Sequence, residues 1–259
     1  WGPDAVVQTI LDAVANLQAD PALTAADVRS VGIGIPGRIE PGSGRVEHAV
    51  NLGVETLDLA AAVAPVLGVP VRVENDVKAA ALGAASLRGG TLSMGYLNLG
   101  TGIAAAIVTG GVLWRGARGG AGEIGHLSID PAGPVCRCGQ RGCIEALAGG
   151  GAVSARWGRP GALPIRDVFD AADGGDAAAV LVRTDLARGV AAAIRVLVLT
   201  ADVDTVVLGG GITALGTRLQ SEVAAQLEAS ARESAFLRSL QLVDRVEILP
   251  AGAPAAALG

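Results

Sequence analysis

The cysteines of this 259-residue chain restrict its fold more than any other feature of the sequence. All three cysteines and one of the two histidines lie within eighteen residues, namely His126, Cys136, Cys138 and Cys143. Three thiolates and one imidazole form the closed ligand set of a structural zinc ion. The alternatives are unpaired thiols, or one disulfide with a spare cysteine. Because no cysteine occurs elsewhere and a reducing compartment disfavours disulfides, we interpret the cluster as a zinc site.

Apolar segments of two kinds alternate along the rest of the chain. Short runs rich in Val, Leu and Ile predict strands at residues 31–35, 69–73, 95–99, 103–108, 112–115, 204–208 and 244–249. Longer Ala-rich runs with helical spacing predict helices from Pro3 and at residues 57–67, 77–87, 175–200 and 214–230. This alternation predicts an α/β protein with helices packed on mixed sheets. The sequence pattern changes near residues 88–94, and this change predicts a boundary between two lobes, residues 1–90 and 91–259.

Charge and hydropathy indicate where the protein works. The net charge of −5 gives no electrostatic footprint for nucleic acid or for an anionic membrane. No apolar run reaches the roughly 18 residues that span a bilayer, and the start of the chain lacks the basic region and cleavage site of a signal peptide. We therefore expect a cytoplasmic protein without a membrane partner. The chain has no initiator Met, and residues 251–259 stop where an apolar helix is expected to start, so we expect it to be incomplete at both ends.

The cysteine cluster belongs to a longer pattern. Glu123-Ile-Gly-His126 is followed by Cys136-Arg-Cys138-Gly-Gln-Arg-Gly-Cys143-Ile-Glu145, which closely resembles the signature of the ROK family of repressors, open reading frames and kinases. Further family segments follow in the family's order, namely GIGIPG at 32–37, Asn75-Asp76, GTG at 100–102 and LGGG at 208–211. The resemblance implies a two-lobed, actin-like hexokinase fold (ribonuclease H-like), with ligands in the cleft between the lobes. The zinc-binding loop would then span residues 123–145 of the C-terminal lobe.

The same resemblance implies a sugar site. Asp76 would be the catalytic base and Asn75 a ligand of a sugar hydroxyl, at the end of a strand, where α/β proteins place ligand chemistry. Local sequence leaves an alternative, because Asn-Asp could instead cap the following helix. His126 would bind zinc through one ring nitrogen and face the sugar with its other side. The remaining sugar ligands that the resemblance implies are Glu123 and Glu145, with Gly37 and Arg38 nearby.

Two glycine turns resemble the family's nucleotide site. Gly100-Thr101-Gly102 resembles the second phosphate loop, in which backbone N–H groups and a Thr hydroxyl hold phosphate. Gly209-Gly210-Gly211 resembles the turn on the adenosine side, although any tight strand-to-helix turn favours glycine. The family's kinases usually continue with more glycines after the first turn, whereas residues 104–106 here are alanines. We expect their methyl groups to restrict the approach of a phosphate.

The sequence leaves the function open between classes. One reading is an ATP-dependent sugar kinase of the glucokinase or N-acetylhexosamine kinase type, with Mg-ATP as second substrate. The other is the sugar-binding effector domain of a ROK transcriptional regulator that contacts DNA through a segment absent from this chain. Asp76 favours the kinase, because a sensor needs no base, whereas the alanines and the stretch Ile129-Asp130-Pro131 favour the regulator.

Three further points remain open at this stage. A sugar-binding fragment with neither activity is a third reading. The sequence does not indicate which sugar is bound, and the resemblance implies a dimer or a tetramer. An upstream Asp-x-Gly-Gly-Thr hairpin would identify the kinase, and an upstream helix-turn-helix would identify the regulator.

Overall fold

The computed structural model describes residues 2–20, 28–89, 93–250 and 252–259, which form a mixed α/β fold. Its first part contains α1 (Pro3–Gln18), β1 (Val31–Ile35), β2 (Arg38–Ile39), β3 (Val46–Ala49), β4 (Val54–Leu57), α2 (Leu59–Leu67) and β5 (Val71–Asn75). The middle contains α3 (Asp76–Leu87), β6 (Met94–Leu99), β7 (Ile103–Thr109) and β8 (Val112–Leu113). The last part contains α4 (Ile144–Ala148), α5 (Gly150–Trp157), α6 (Pro164–Asp173), α7 (Ala177–Ala201), β9 (Thr205–Gly209), α8 (Thr217–Glu233), α9 (Ala235–Ser239), β10 (Val246–Ile248) and α10 (Ala255–Leu258).

A five-stranded sheet organises the larger part of the molecule. Its strand order is β10-β9-β6-β7-β8, in which β10, β9 and β6 run parallel and β7 and β8 continue antiparallel. Successive side chains of a strand point to opposite faces. Leu97 and Leu99 of β6 therefore join the core beneath α7 and α8, whereas Met94 and Tyr96 join the core beneath α3 and α10. The sheet is covered by helices on both faces.

The Ala-rich sequence of α3 allows close packing on this sheet. Ala80, Ala81 and Ala84 are buried in the core that α3 shares with β6 and β7. A Cβ on Gly83 would lie only 1.9 Å from the carbonyl oxygen of Ala255, at the start of α10. Small residues thus bring α3 into contact with both the sheet and the last helix of the chain.

A smaller core lies in the first part of the chain. Strands β1 and β5 pair in parallel, and β2, β3 and β4 form an antiparallel sheet. Their buried side chains pack with α1 and α2 around Val6, Val46, Leu59 and Val63. Although α3 follows β5 without a break, it packs on the five-stranded sheet. A lobe boundary at residue 90 stays a prediction.

The structure confirms the predicted α/β class and most long elements. The strand expected at 69–73 spans Val71–Asn75 and leads directly into α3, so that Asp76 is already helical. The sheet of β2, β3 and β4 and the helices α4 to α6 had no counterpart among the predicted elements. None of the helices in the described ranges combines the length and the hydropathy that crossing a bilayer requires.

Candidate functional site

The four predicted metal ligands lie together. His126 ends a 3₁₀ turn, Cys136 and Cys138 lie in the following loop, and Cys143 is the N-cap residue of α4. The Nδ1 atom of His126 is 3.8 Å from the sulfur of Cys136, the sulfurs of Cys138 and Cys143 are 3.7 Å apart, and all four ligand atoms lie within 4.8 Å of one another. Ligands about 2.3 Å from a tetrahedral metal are about 3.8 Å apart. These four side chains could therefore hold one metal ion.

The thiols of this cluster differ in acidity. The backbone N–H and then the side chain of Gln140 donate hydrogen bonds to Cys138, which lowers the pKa of its thiol to about 6. Burial raises the pKa of the Cys143 thiol to about 12. The thiolate is the metal-binding form. Cys143 must therefore release a proton when a metal binds, which couples metal affinity to pH.

Asp130 anchors the metal loop to the long helix α7. Its Oδ2 accepts a hydrogen bond from Arg188 of α7 at 2.8 Å, and its Oδ1 accepts one from the N–H of Ala132 at 3.1 Å. Its backbone packs so closely against the loop that a Cβ on Gly142 would lie 1.6 Å from the Asp130 carbonyl oxygen. The Ile129-Asp130-Pro131 stretch thus has a structural explanation within this chain.

The junction of β5 and α3 carries Asn75 and Asp76. The Asn75 side-chain oxygen caps α3, accepting hydrogen bonds from the N–H groups of Val77 at 3.1 Å and Lys78 at 3.2 Å. Its amide nitrogen donates to the carbonyl oxygen of Gly37 at 3.1 Å, which leaves one N–H for a further acceptor. The exposed Asp76 is the first residue of α3. The capping interpretation of Asn75 is thus confirmed, and a sugar contact stays a prediction.

Gly37 and Arg38 lie beside this junction. Gly37 has φ +107°, and a Cβ there would lie 2.9 Å from the carbonyl oxygen of Glu47, so the close approach to β3 requires glycine. The guanidinium of Arg38 forms an ion pair with Glu47. Arg38 is therefore joined to β3 by this ion pair.

A buried lysine joins the glycine-rich loop 116–125 to α3. Lys78 is only 5% exposed, and its ammonium donates to the carbonyl oxygen of Gly119. Burial lowers the pKa of Lys78, opposed by the negative charges of Glu74 and Glu123. Sequence analysis missed this residue, yet a signal was present: Lys78 is the single lysine in a chain with nineteen arginines.

Glu145 contacts the turn at Gly100-Thr101-Gly102. Its Oε2 accepts a hydrogen bond from the N–H of Ile103 at 2.9 Å, and a Cβ on Gly102 would lie 2.5 Å from the same oxygen. The start of α5 supports the other side of the turn. The N–H groups of Gly150 and Gly151 donate to the carbonyl oxygens of Gly100 and Thr101, both at 2.9 Å. The turn is therefore fixed by two consecutive helices.

A cleft of about 520 Å³ opens beside this turn. Gly100, Thr101 and Gly211 line one end, and Ser154 and Arg166 also reach it. Its apolar lining comes from two short segments, namely Leu163, Pro164 and Ile165, and Ile212, Ala214 and Leu215. A mainly apolar cleft that also contacts a glycine turn suits a planar base with phosphates attached. Sequence analysis found the two glycine turns but missed the segment at residues 162–166.

The glycines at 209–211 differ in what they do. A Cβ on Gly209 would lie 2.0 Å from the hydroxyl of Tyr96, and one on Gly210 would lie 2.6 Å from the carbonyl oxygen of Leu99. Gly209 is the last residue of β9, and Gly210 has φ +90°. Packing therefore requires these two glycines, whereas Gly211 faces the cleft.

The alanines after Gly102 do not line this cleft. Residues 104–106 belong to β7 and pair with residues 96–98 of β6. Ala105 packs in the core beneath α7, and Ala106 packs in the core beneath α3. Their methyl groups are thus used in the sheet and do not separate the turn from the cleft.

The predicted site residues form three groups. Gly37, Asn75 and Asp76 meet at the start of α3, Glu145 contacts the turn at residues 100–102, and His126 lies with the cysteines. A ligand between these groups would have to bridge them.

Comparison with known proteins identifies the family. The ROK family model matches residues 2–254. A glucokinase of Halalkalibacterium halodurans is 31% identical over 245 residues, which cover 87% of this chain and 74% of that protein. A ROK family glucokinase from Streptomyces griseus, solved in complex with glucose and AMPPNP, is 27% identical with a TM-score of 0.78, covering 99% of this chain and 86% of that one.

A regulator is similar over the same share of this chain. A ROK family transcriptional regulator, a homolog of the E. coli MLC protein, is 27% identical with a TM-score of 0.76. The match covers 99% of this chain and 68% of the regulator. The fold is thus shared by kinases and regulators, and the family match extends over nearly the whole sequence. This chain belongs to the ROK family.

Proposed function

We propose that this protein is an ATP-dependent sugar kinase that transfers the γ-phosphate of Mg-ATP to a hydroxyl of a hexose or N-acetylhexosamine. The observation that carries the proposal is the contact between Glu145, an inferred sugar ligand, and the turn at residues 100–102 beside the 520 Å³ cleft. A sugar held by Glu145 would lie next to a phosphate held by that turn. Kinase chemistry needs this proximity, whereas a sugar sensor does not.

Asp76 is the inferred catalytic base. Its carboxylate is exposed at the first residue of α3, and its Oδ1 accepts a hydrogen bond from the N–H of Val77 at 3.0 Å, which leaves Oδ2 to accept a proton from a substrate. In the proposed step, the sugar hydroxyl transfers its proton to Asp76 while its oxygen forms a bond to the γ-phosphorus. The bond between the γ-phosphorus and the bridging oxygen breaks, and ADP leaves.

Sugar binding is assigned to four side chains. Asn75 has one free amide N–H, Glu123 and Glu145 supply carboxylate acceptors, and His126 presents its Nε2 side because Nδ1 faces the cysteines. A zinc ion in the cluster would have all four positions filled by protein, so its role would be structural. It would fix the His126 ring and the start of α4.

The alternative function is a sugar-binding effector domain of a transcriptional regulator. The observation that favours it is the similarity to the regulator structure over 99% of this chain. Under this alternative the same sugar ligands operate, and DNA is contacted by a segment outside this sequence.

A coupled ADP-release assay on the full-length protein separates the two. The assay uses Mg-ATP with a panel of glucose, fructose, allose and N-acetylated hexosamines. We expect sugar-dependent turnover, which would also name the substrate. No turnover, together with a sugar that still raises the melting temperature, would contradict the kinase and support the regulator.

The base assignment has its own test. We expect Asp76→Asn to abolish turnover and to leave the dissociation constant for the sugar within about threefold, because the amide retains the shape but accepts no proton. Asp12→Asn on the exposed face of α1 is the matched control. A variant that loses sugar binding together with turnover would contradict the assignment of Asp76 as base.

A further inference from the structure

Lys78 lies at a meeting point of three segments. It projects from α3 two residues after Asp76, and its ammonium contacts the carbonyl oxygen of Gly119 in the glycine-rich loop. Gly119 in turn packs on β2, where an added Cβ would lie 2.7 Å from the carbonyl oxygen of Ile39. The loop is therefore held between Lys78 and β2.

The charges around Lys78 come from both sides of this contact. Glu74 precedes the Asn75 cap in β5, and Glu123 lies within the loop. The negative charges of both favour the charged form of Lys78. Arg115, at the start of the loop, donates to Glu74 at 2.8 Å. The ion pair of Arg115 with Glu74 and the contact of Lys78 with Gly119 thus join this region to the junction of β5 and α3. An unpaired ammonium at this depth would carry a large desolvation cost.

The choice of residue is informative. Apart from the two histidines, every other basic residue of the chain is arginine. A lysine at the most buried of the Lys and Arg positions is therefore an exception to the composition of the chain. Lysine presents a compact charge on a narrow stem, whereas the planar guanidinium needs more room and several acceptors. The space beneath the loop, bounded by α3 and the Gly119 backbone, favours the narrower group.

The loop continues directly into the inferred sugar ligands. The carbonyl oxygen of Gly122 accepts a hydrogen bond from the N–H of Ala105 at 2.8 Å, and a Cβ on Gly122 would lie 1.8 Å from the Ala105 carbonyl oxygen. Gly119 is thus held by its contact with Lys78, and Gly122 is held by its contact with β7. Glu123 is the next residue, and His126 follows after one 3₁₀ turn.

We propose that Lys78 is a positioning residue of the sugar site, which sets the distance between Asp76 on α3 and Glu123 on the loop. This inference rests on the proposed function, because it assumes that Asp76 and Glu123 face the same sugar. Lys78 acts through the loop, by its contact with Gly119 and its charge beside Glu123. The cleft assigned to ATP is lined by other residues, so the effect is specific to the sugar.

The test compares Lys78→Met with Arg72→Met in the full-length protein. Methionine keeps the length of the lysine stem without the charge, and Arg72 is an exposed cation on the neighbouring strand β5. With D-glucose, or the panel sugar turned over fastest, we expect Lys78→Met to raise the KM for sugar at least about tenfold. The KM for ATP should stay within about twofold, and Arg72→Met should match the wild type. Lys78→Arg should recover part of the sugar affinity.

A second measurement is made on the wild type, and the Lys78→Met variant serves only to assign the signal. Protein made with ¹³Cε-lysine gives one side-chain signal from Lys78, assigned by its absence in Lys78→Met. We expect this signal to shift when the sugar is added and to stay unchanged with ADP alone. Two results would overturn this inference alone. One is an active wild type whose Lys78 signal does not shift when the sugar is added, and the other is a Lys78→Met variant with an unchanged KM for sugar. A wild type that neither turns over nor binds any panel sugar would overturn the proposed function and this inference together.

Discussion

Gly102→Ala tests the contact on which the proposed function depends. The new Cβ would lie 2.5 Å from the Oε2 atom of Glu145, whereas ordinary contacts begin near 3.4 Å. The carboxylate must therefore retreat by about 0.9 Å, which stretches its 2.9 Å hydrogen bond from the N–H of Ile103 beyond useful length. Because Gly102 does not have a positive φ, the substitution adds no backbone strain of its own.

The cost follows from the loss of this hydrogen bond. A hydrogen bond to a charged group contributes about 1.5–3 kcal/mol to stability. With a urea m-value of about 3 kcal/mol/M for a chain of this size, the midpoint of urea unfolding should fall by about 0.5–1 M. Tryptophan fluorescence in urea measures this shift. We also expect weaker binding of Mg-ATP, because Gly102 belongs to the turn that would hold the phosphates.

Gly211→Ala is the matched control for this substitution. Gly211 lines the cleft beside the turn that contains Gly102. It has no positive φ, and an added Cβ there meets nothing within 4 Å. It should therefore unfold at the wild-type urea concentration. Equal midpoints for the two variants, or a Gly102→Ala variant as stable as the wild type, would refute the packing of Glu145 on the turn.

Two further predictions concern the metal loop and the pH dependence of stability. Cys138→Ser removes one of four ligands and should lower zinc affinity by more than about a hundredfold, with weaker sugar binding through the displaced His126; unchanged zinc content in atomic emission would disprove the four-ligand assignment. Hydrogen bonds from the N–H of Ala179 and from Arg159 hold the pKa of Asp176 below its usual 3.8. The ionised carboxylate therefore stabilises the folded state above pH 3.8. This stabilisation is lost as the pH falls through the lower pKa of the folded state. Asp176→Asn keeps the cap of α7 without the titration, so its free energy of unfolding should fall less between pH 5 and pH 3, and equal slopes in urea titrations would contradict this reasoning.

Elements with a long, regular apolar pattern could be predicted from the sequence. The helix expected at 175–200 spans Ala177–Ala201, because a helix of this length repeats its buried positions many times. Strands β2 and β3 escaped prediction, because two to four residues are too few to show a period and Arg38 and Glu47 face solvent. Helix α4 was also not predicted, because it has only five residues and begins directly after Cys143, which was assigned to the metal loop.

The candidate site also contains features that the sequence predicted and contacts that it did not. The cysteine cluster could be predicted because its ligands are close in sequence, so that folding needs to close only a short loop. The contact of Lys78 with Gly119 joins residues 41 positions apart, and that of Glu145 with Ile103 joins residues 42 apart. Such contacts depend on how α3, β7 and α4 pack. We expected the methyl groups of the alanines at 104–106 to restrict the approach of a phosphate, because these residues follow the turn in sequence. Strand pairing instead directs their side chains into the two cores.

The segment from Cys143 to Gly151 connects the inferred binding sites for the metal, the sugar and the phosphates. Cys143 is a candidate metal ligand, Glu145 is the inferred sugar ligand that contacts the phosphate turn, and Gly150 and Gly151 hold that turn from α5. A metal ion bound by Cys143 would fix the start of α4 and, through it, both ligand sites. Loss of the metal in Cys138→Ser should therefore raise the KM for sugar and the KM for ATP together, whereas Lys78→Met should raise only the first. A metal-free variant that kept normal ATP binding would show that α4 holds the phosphate turn without help from the metal.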